Sequence, residues 1–190
     1  WTIARGERLP GADGEDANAL AEGPQMQPIP EGGYRRARDE AEVRISPFHM
    51  SKTEVPFALF RRVQQWAAMN GYYLDGDGDM GSMDWKTGQH THGPDEPVTD
   101  VTWHTAMAWC NALSEMEGRT PCYYVNEEET EVLRRPNLWR IAMHRGTMGY
   151  VTGPGARRWL PIYVKWEADG YRLPTEAEWT YAFKGPNNAE

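Results

Sequence analysis

Two stretches of the chain repeat apolar residues at helical spacing. Phe57, Phe60, Val63, Trp66 and Ala67 fall on one stripe between Pro56 and Met69. Pro56 suits a first helical position, where its missing N–H costs nothing, and Asn70-Gly71 supplies the stop. Trp103, Ala106, Met107, Cys110 and Leu113 share a second face, predicting a helix from about Trp103 to Met116 that Gly118 ends. A third helix is predicted to begin near Glu176. Thr175 and Glu178 have the spacing of a capping box, in which each side chain bonds the other residue's backbone N–H. Pro174 disfavours helix in the residue before it, and Glu176 and Glu178 sit at the positive end of the helix dipole.

Between these helices the pattern shortens to a period of two. Glu42 to Met50 alternates polar and apolar residues as a strand does, and Tyr171-Arg172-Leu173 does so briefly. Met26 to Ile29 reads as extended chain entering a Gly32-Gly33 turn. Pro121 to Val125 and Glu131 to Leu133 suggest a hairpin turning at Asn126 to Glu129, and Leu160 to Trp166 is expected to be extended. Residues 71 to 97 form a long loop rich in Gly, Asp and His, and residues 134 to 160 give no clear pattern. The first 24 residues lack periodicity and predict an irregular N-terminal arm ahead of one domain over 25–190.

Composition changes this picture in three ways. Hydrophobic residues make up only 39%, but nine Trp and nine Tyr allow a core built from few aliphatics. Nineteen Gly and fourteen Pro favour a loop-rich, mixed α/β (α+β) fold of short elements over a helical bundle. The net charge of −8 argues against a sequence-independent grip on DNA or RNA. No apolar run approaches the roughly 18 residues of a membrane span. The chain begins at Trp1, so any preceding signal would be invisible.

Four segments, taken in order, resemble one family. They are Met26-Gln27-Pro28-Ile29-Pro30-Glu31-Gly32-Gly33-Tyr34; the strand and helix from Phe48 through Thr53-Glu54-Val55 to Phe60; Pro97-Val98 through Val101-Thr102-Trp103 to Leu113; and Gly170-Tyr171-Arg172-Leu173-Pro174-Thr175-Glu176-Ala177-Glu178-Trp179-Thr180-Tyr181-Ala182. Together they resemble the formylglycine-generating enzymes, or sulfatase-modifying factors. Glu31 departs from a usual glycine, and Pro56 from a usual threonine cap. The resemblance implies a C-type-lectin-related fold, here incomplete at its C-terminal side, so a C-terminal segment or a second chain is expected to complete it. It also implies oxidation of a sulfatase cysteine to formylglycine by dioxygen, with copper held by two cysteines and calcium held by loops, all in a C-terminal half outside this sequence. A sulfatase or other protein would be the partner, and a periplasmic or extracellular setting is favoured. Two other readings use the same scaffold: a non-catalytic module binding a protein, peptide or glycan, and a structural subunit of an extracytoplasmic assembly.

Candidate chemistry within the chain is sparse. Asp75, Asp77 and Asp79 alternate with glycines and can aim three hard oxygens at a calcium ion, or form a solvated acidic turn. Met80 and Lys86 stand where an EF-hand needs Gly and Glu, so that motif is excluded. His90 and His92 alternate as strand ligands would, without an evident third ligand. Trp139, Tyr150, Trp159, Tyr163 and Trp166 suit either core packing or a sugar-stacking groove. Cys110 and Cys122 read as buried thiols or as a disulfide, and neither matches the family's copper positions. Glu176 and Glu178 read as helix caps rather than catalytic acids.

Overall fold

The computed structural model describes residues 1–6, 23–74, 76, 78–84, 86–135 and 161–185. Its elements, in chain order, are β1 (Ala4–Arg5), β2 (Met26–Ile29), β3 (Gly32–Arg35), β4 (Glu42–Ile45), β5 (Phe48–Ser51), α1 (Phe57–Met69), α2 (Trp103–Met116), β6 (Tyr123–Tyr124), β7 (Tyr163–Val164), β8 (Tyr171–Arg172) and α3 (Glu176–Lys184). This is a mixed α/β architecture with short strands. One antiparallel sheet has the order β2-β5-β1-β8, and β3 pairs with β4 and β6 with β7 in two further ladders.

The three expected helices form where the pattern places them, with different caps. Thr102 caps α2 by accepting from the N–H of Thr105 at 3.1 Å. Pro56 caps α1 without a side-chain bond. The loop before α2 makes good that loss, because the N–H groups of Phe57 and Ala58 donate to the carbonyls of Glu96 and Pro94. The usual threonine is therefore replaced by backbone acceptors.

The expected single strand over Glu42 to Met50 divides in two. Pro47 has no N–H for a ladder, and at that point the chain leaves the β3–β4 pair for the larger sheet. The expected irregular arm also begins differently, since Ala4 and Arg5 form β1 between β5 and β8. Ile3 and Ala4 are fully buried, and Ile3 and Ser51 exchange hydrogen bonds, Ile3 N–H to Ser51 Oγ and Ser51 N–H to the Ile3 carbonyl. A two-residue strand carries no period of its own, so long-range pairing decides its state. The rest of the expected arm, residues 7–22, lies outside the described residues.

The main core lies between α1 and α2 and under β8. Trp109 has no exposure, lies parallel to Phe60 at 6.0 Å and meets the edge of Trp1 at 5.2 Å. Its indole N–H is satisfied by the Phe60 carbonyl at 3.1 Å. A second cluster joins Tyr34, Ile45, Phe48 and Met50 to Tyr181 of α3. Gly32 is required there, since a Cβ at that position would come within 2.1 Å of the Tyr181 hydroxyl.

The outer edge of β8 is bonded within the chain. The N–H groups of Tyr171 and Leu173 donate to Ser114 Oγ at 2.7 Å and Tyr123 Oη at 2.8 Å. The other edge, β2, carries Pro28, which has no N–H to offer. Both edges are blunted.

Candidate functional site

The segment with the most polar chemistry is the junction β8–Pro174–α3. Arg172 and Tyr171 emerge from β8 into the core, and Gly170 permits that approach: a Cβ on it would fall 2.1 Å from the Thr120 carbonyl and 2.6 Å from Ser114 Oγ. The expected capping box is present, with the Glu178 N–H on Thr175 Oγ1 at 3.1 Å and the Thr175 N–H on Glu178 Oε2 at 2.8 Å. Glu178 also receives both guanidinium arms of Arg172, Nη1 on Oε2 at 2.7 Å and Nη2 on Oε1. The Thr175 hydroxyl is a further partner of Oε2 at 3.1 Å. Four donors saturate this carboxylate.

Burial alone would raise the Glu178 carboxyl above its usual range. The hydrogen bonds and charge of Arg172, joined by Thr175, reverse this and hold it below. Arg172 balances the same two effects: burial opposes its charge, and Glu178 more than compensates. A carboxylate kept ionised and fully bonded is unsuited to shuttle protons at neutral pH. Glu176 is exposed at the start of α3.

The two thiols flank this junction without forming a reactive centre. Cys110 and Cys122 are free and buried. Burial pushes Cys122 up to about 12 despite the nearby Arg172 charge, and pushes Cys110 well above the ordinary thiol range. Copper(I) takes thiolates, and these two thiols stay protonated in a dry core. They do not fit a copper site. Tyr171 belongs to an adjoining network, its hydroxyl donating to Glu117 Oε2 at 2.6 Å while Arg119 lies 3.4 Å from the same oxygen.

The remaining sequence candidates are dispersed. Asp75 and Asp77 lie outside the described residues. Asp79 is described, and its Oδ1 accepts from the Met80 N–H at 2.7 Å and lies 2.8 Å from His90 Nδ1. Its backbone pairs with Thr99, which ties the acidic turn to the segment leading into α2. His92 instead packs beside Gly81, where a Cβ would meet its ring at 2.7 Å. Among the described residues no three His, Cys, Asp or Glu side chains gather as a metal site. Of the aromatic set, Trp139, Tyr150 and Trp159 lie outside the described residues. Tyr163 is half-buried in β7, and Trp166 is 56% exposed with the Arg172 guanidinium 5.1 Å over its ring.

Sequence reasoning missed Arg172 and Asn111. The signal for Arg172 was a basic residue six positions before a capping-box glutamate, across a strand–turn–helix. Asn111 offered only a polar residue within an otherwise apolar helix.

The fold and sequence have known counterparts. One solved structure, CarF, superposes with a TM-score of 0.60 at 24% identity, over 87% of this chain and 57% of that one. A weaker likeness, TM-score 0.48 at 24% identity, is to Treponema denticola variable protein 1, over 84% of this chain and 52% of that one. A curated relative, chaperone protein LppX from Paenibacillus barcinonensis, is 31% identical over 102 residues, which is 52% of this chain and 29% of that protein's length. The model of the sulfatase-modifying factor enzyme 1-like domain matches residues 12–190, taking in seven of the eight described strands and all three described helices, and the chain belongs to that family.

Proposed function

We propose that this chain is the scaffold portion of a sulfatase-modifying-factor-type protein, of C-type-lectin-related fold, which in full length converts a sulfatase cysteine to formylglycine using dioxygen. One observation carries the division of labour. The motif's buried Arg172–Glu178 pair is consumed in holding β8 to α3, and both thiols of the chain are core packing. Copper, when bound, would supply the redox chemistry, from ligands outside residues 1–190. Calcium at Asp75, Asp77 and Asp79 belongs to the same proposal, on the alternating carboxylates of the sequence. An extracytoplasmic setting accompanies it.

The test is to incubate the full-length protein with a cysteine-containing sulfatase peptide, copper(I), air and a thiol reductant, and to read the peptide by mass spectrometry. The reductant supplies the two electrons that dioxygen needs beyond the two the cysteine carbon gives up as sulfide leaves. Loss of the thiol with gain of a hydrazide-reactive aldehyde supports the reading, and an unchanged peptide rejects it.

A second reading is a non-catalytic module that holds another protein. Two features support it: the exposed aromatic residues Trp103, Trp166, Trp179 and Phe183, and a relative whose name calls it a chaperone. It predicts retention of a protein client without chemical change, measured as suppression of client aggregation.

A further inference from the structure

The loop between Asp79 and His92 brings together donors that the junction of β8 and α3 does not use. Met83 and His90 stand directly opposite each other across it. The Thr91 N–H on the Ser82 carbonyl at 2.9 Å and the Asp84 N–H on the Gln89 carbonyl at 2.8 Å bracket the pair. A pair so bracketed is of the non-hydrogen-bonded kind, in which the two side chains come closest.

His90 is also oriented. Its Nδ1 lies 2.8 Å from Asp79 Oδ1, so that nitrogen carries the proton and Nε2 keeps its lone pair. A carboxylate on the far nitrogen is the usual support of a metal-binding imidazole. Asp79 precedes Met83 by four residues, so the His90 ring reaches back along the chain past Gly81. The His92 ring lies at that same glycine, where a Cβ would come within 2.7 Å of it. The pairing steps by one residue there, with Gly81 at a φ of +72° and the His92 N–H on the Met80 carbonyl at 3.1 Å. His92 Nδ1 is buried and has no hydrogen-bond partner among the described residues. A polar atom so placed costs free energy until something binds it. Two imidazoles and one thioether thus border a single stretch of backbone, from Gly81 to Met83.

The donor set decides the ion. Calcium and magnesium need hard oxygens, and zinc sites are built from imidazole, thiolate and carboxylate. A thioether is soft, and together with imidazole it selects copper(I). Met83 is 57% exposed, which suits an ion exchanged with solution rather than sealed in a core.

We propose that Met83, His90 and His92 form a binding site for a soft monovalent metal ion, copper(I), with Asp79 as the positioning residue of His90. The site is separate from the copper of the proposed oxidation, whose ligands lie outside residues 1–190, and it holds whichever reaction the protein performs.

The test titrates the full-length protein, with methyl-labelled methionine, against copper(I) without oxygen. The buffer is free of calcium, because Asp79 also belongs to the proposed calcium set. Copper(I) is diamagnetic, so NMR follows each bound residue as a shift. The Met83 methyl, identified by its loss in Met83→Leu, is expected to move together with the His90 and His92 rings. A copper(I) chelator then reverses these shifts, and the chelator needed measures affinity at this site alone. Asp79→Ala is expected to weaken binding about 10–100-fold, with the Met83 methyl still moving at saturation. Met83→Leu, His90→Gln and His92→Gln are expected to weaken it by at least that factor. A Met83 methyl that stays in place under excess copper(I), in protein with a native melting curve, would overturn the proposal. So would parent-like affinity in any of the three ligand variants, or zinc(II) moving the Met83 methyl as far as copper(I) does. None of these signals reads peptide oxidation, so this site and that reaction fail independently.

Discussion

Arg172 and Glu178, six residues apart across the Pro174 turn, close a bidentate ion pair whose side chains are only 7% and 13% exposed. The same carboxylate caps α3 through Thr175, so one residue fixes both the start of the helix and its angle to β8. Breaking a buried pair by removing one partner leaves the other charge uncompensated. Arg172→Ala is therefore expected to destabilise the protein by about 3–5 kcal/mol. Thr175→Ala, which removes only the cap, should cost about 1 kcal/mol. Glu176→Ala, at an exposed position with no such network, should stay within about 0.5 kcal/mol. Urea denaturation of the three variants checks the order, and equal costs for Arg172→Ala and Glu176→Ala would reject the assignment.

The same pair sets an acid limit. The folded Glu178 carboxyl is held below its usual range, so folding favours its ionised form. The unfolded state then binds more protons as pH falls below about 4.3, and stability declines through the depressed folded value. The contribution is fully present above the unfolded value. A melting-temperature profile from pH 7 to pH 3 should fall more steeply in the parent than in Glu178→Gln, whose neutral amide cannot titrate. Parallel profiles would place the acid sensitivity elsewhere.

The helices were legible, as were the extended segments that hold β2, β6, β7 and β8, whereas β1 was not, for a physical reason. Phe60, Val63 and Ala67 repeat over several turns, and that local period survives in α1 as the side buried against α2. β1 is two residues long, and its state is decided by partners more than forty residues away. The junction divides in the same way. Its capping box spans three residues and was readable, whereas the use of Glu178 by Arg172 depends on a turn that brings strand and helix together. The aspartate turn was legible as a candidate ligand set, but the pairing of Asp79 with His90 needs the loop to fold back over Met83 and Thr99.

The thiols predict an alkaline limit. Burial keeps Cys110 and Cys122 protonated in the folded protein, with Cys122 pushed up to about 12. Unfolded cysteines ionise near about 8.5. Between those values the unfolded state holds fewer protons, so stability falls as pH rises. A thiol-reactive dye at pH 8 is expected to modify neither cysteine in the native protein and both in denaturant. Rapid native labelling of either one would show that it is not core packing.

A calcium ion seated on Asp75, Asp77 and Asp79 has to draw Asp79 from His90, whose Nδ1 lies 2.8 Å from its carboxylate. The expected affinity is accordingly weak, in roughly the millimolar range of adaptable extracellular sites. Titration calorimetry should give a calcium-dependent heat that Asp79→Asn abolishes. No heat and no rise in melting temperature at millimolar calcium would leave the segment an acidic turn.

Asn111 supports the other side of the junction. Its Oδ1 accepts from the N–H groups of Cys122 at 3.1 Å and Tyr123 at 3.0 Å, and its Nδ2 donates to the carbonyls of Tyr123 at 2.8 Å and Leu133 at 3.1 Å. A single buried amide thus adds to the pairing of β6 with residues 131–133, where the Leu133 N–H donates to the Tyr123 carbonyl at 2.9 Å. Asn111→Leu is close in size but takes the amide partner from the N–H groups of Cys122 and Tyr123 and from the Leu133 carbonyl, each costing about 1–3 kcal/mol, while the Tyr123 carbonyl keeps the Leu133 N–H. Asn111→Asp keeps the two acceptor bonds but places a carboxylate against two carbonyls. Both variants are expected to lose most of the stability, with Asp recovering part of its loss at low pH, where a protonated carboxyl can again donate. Urea midpoints at pH 7 and pH 4 measure this. If Asn111→Leu unfolds at the parent's midpoint, β6 is held by its pairing with β7 and not by the amide.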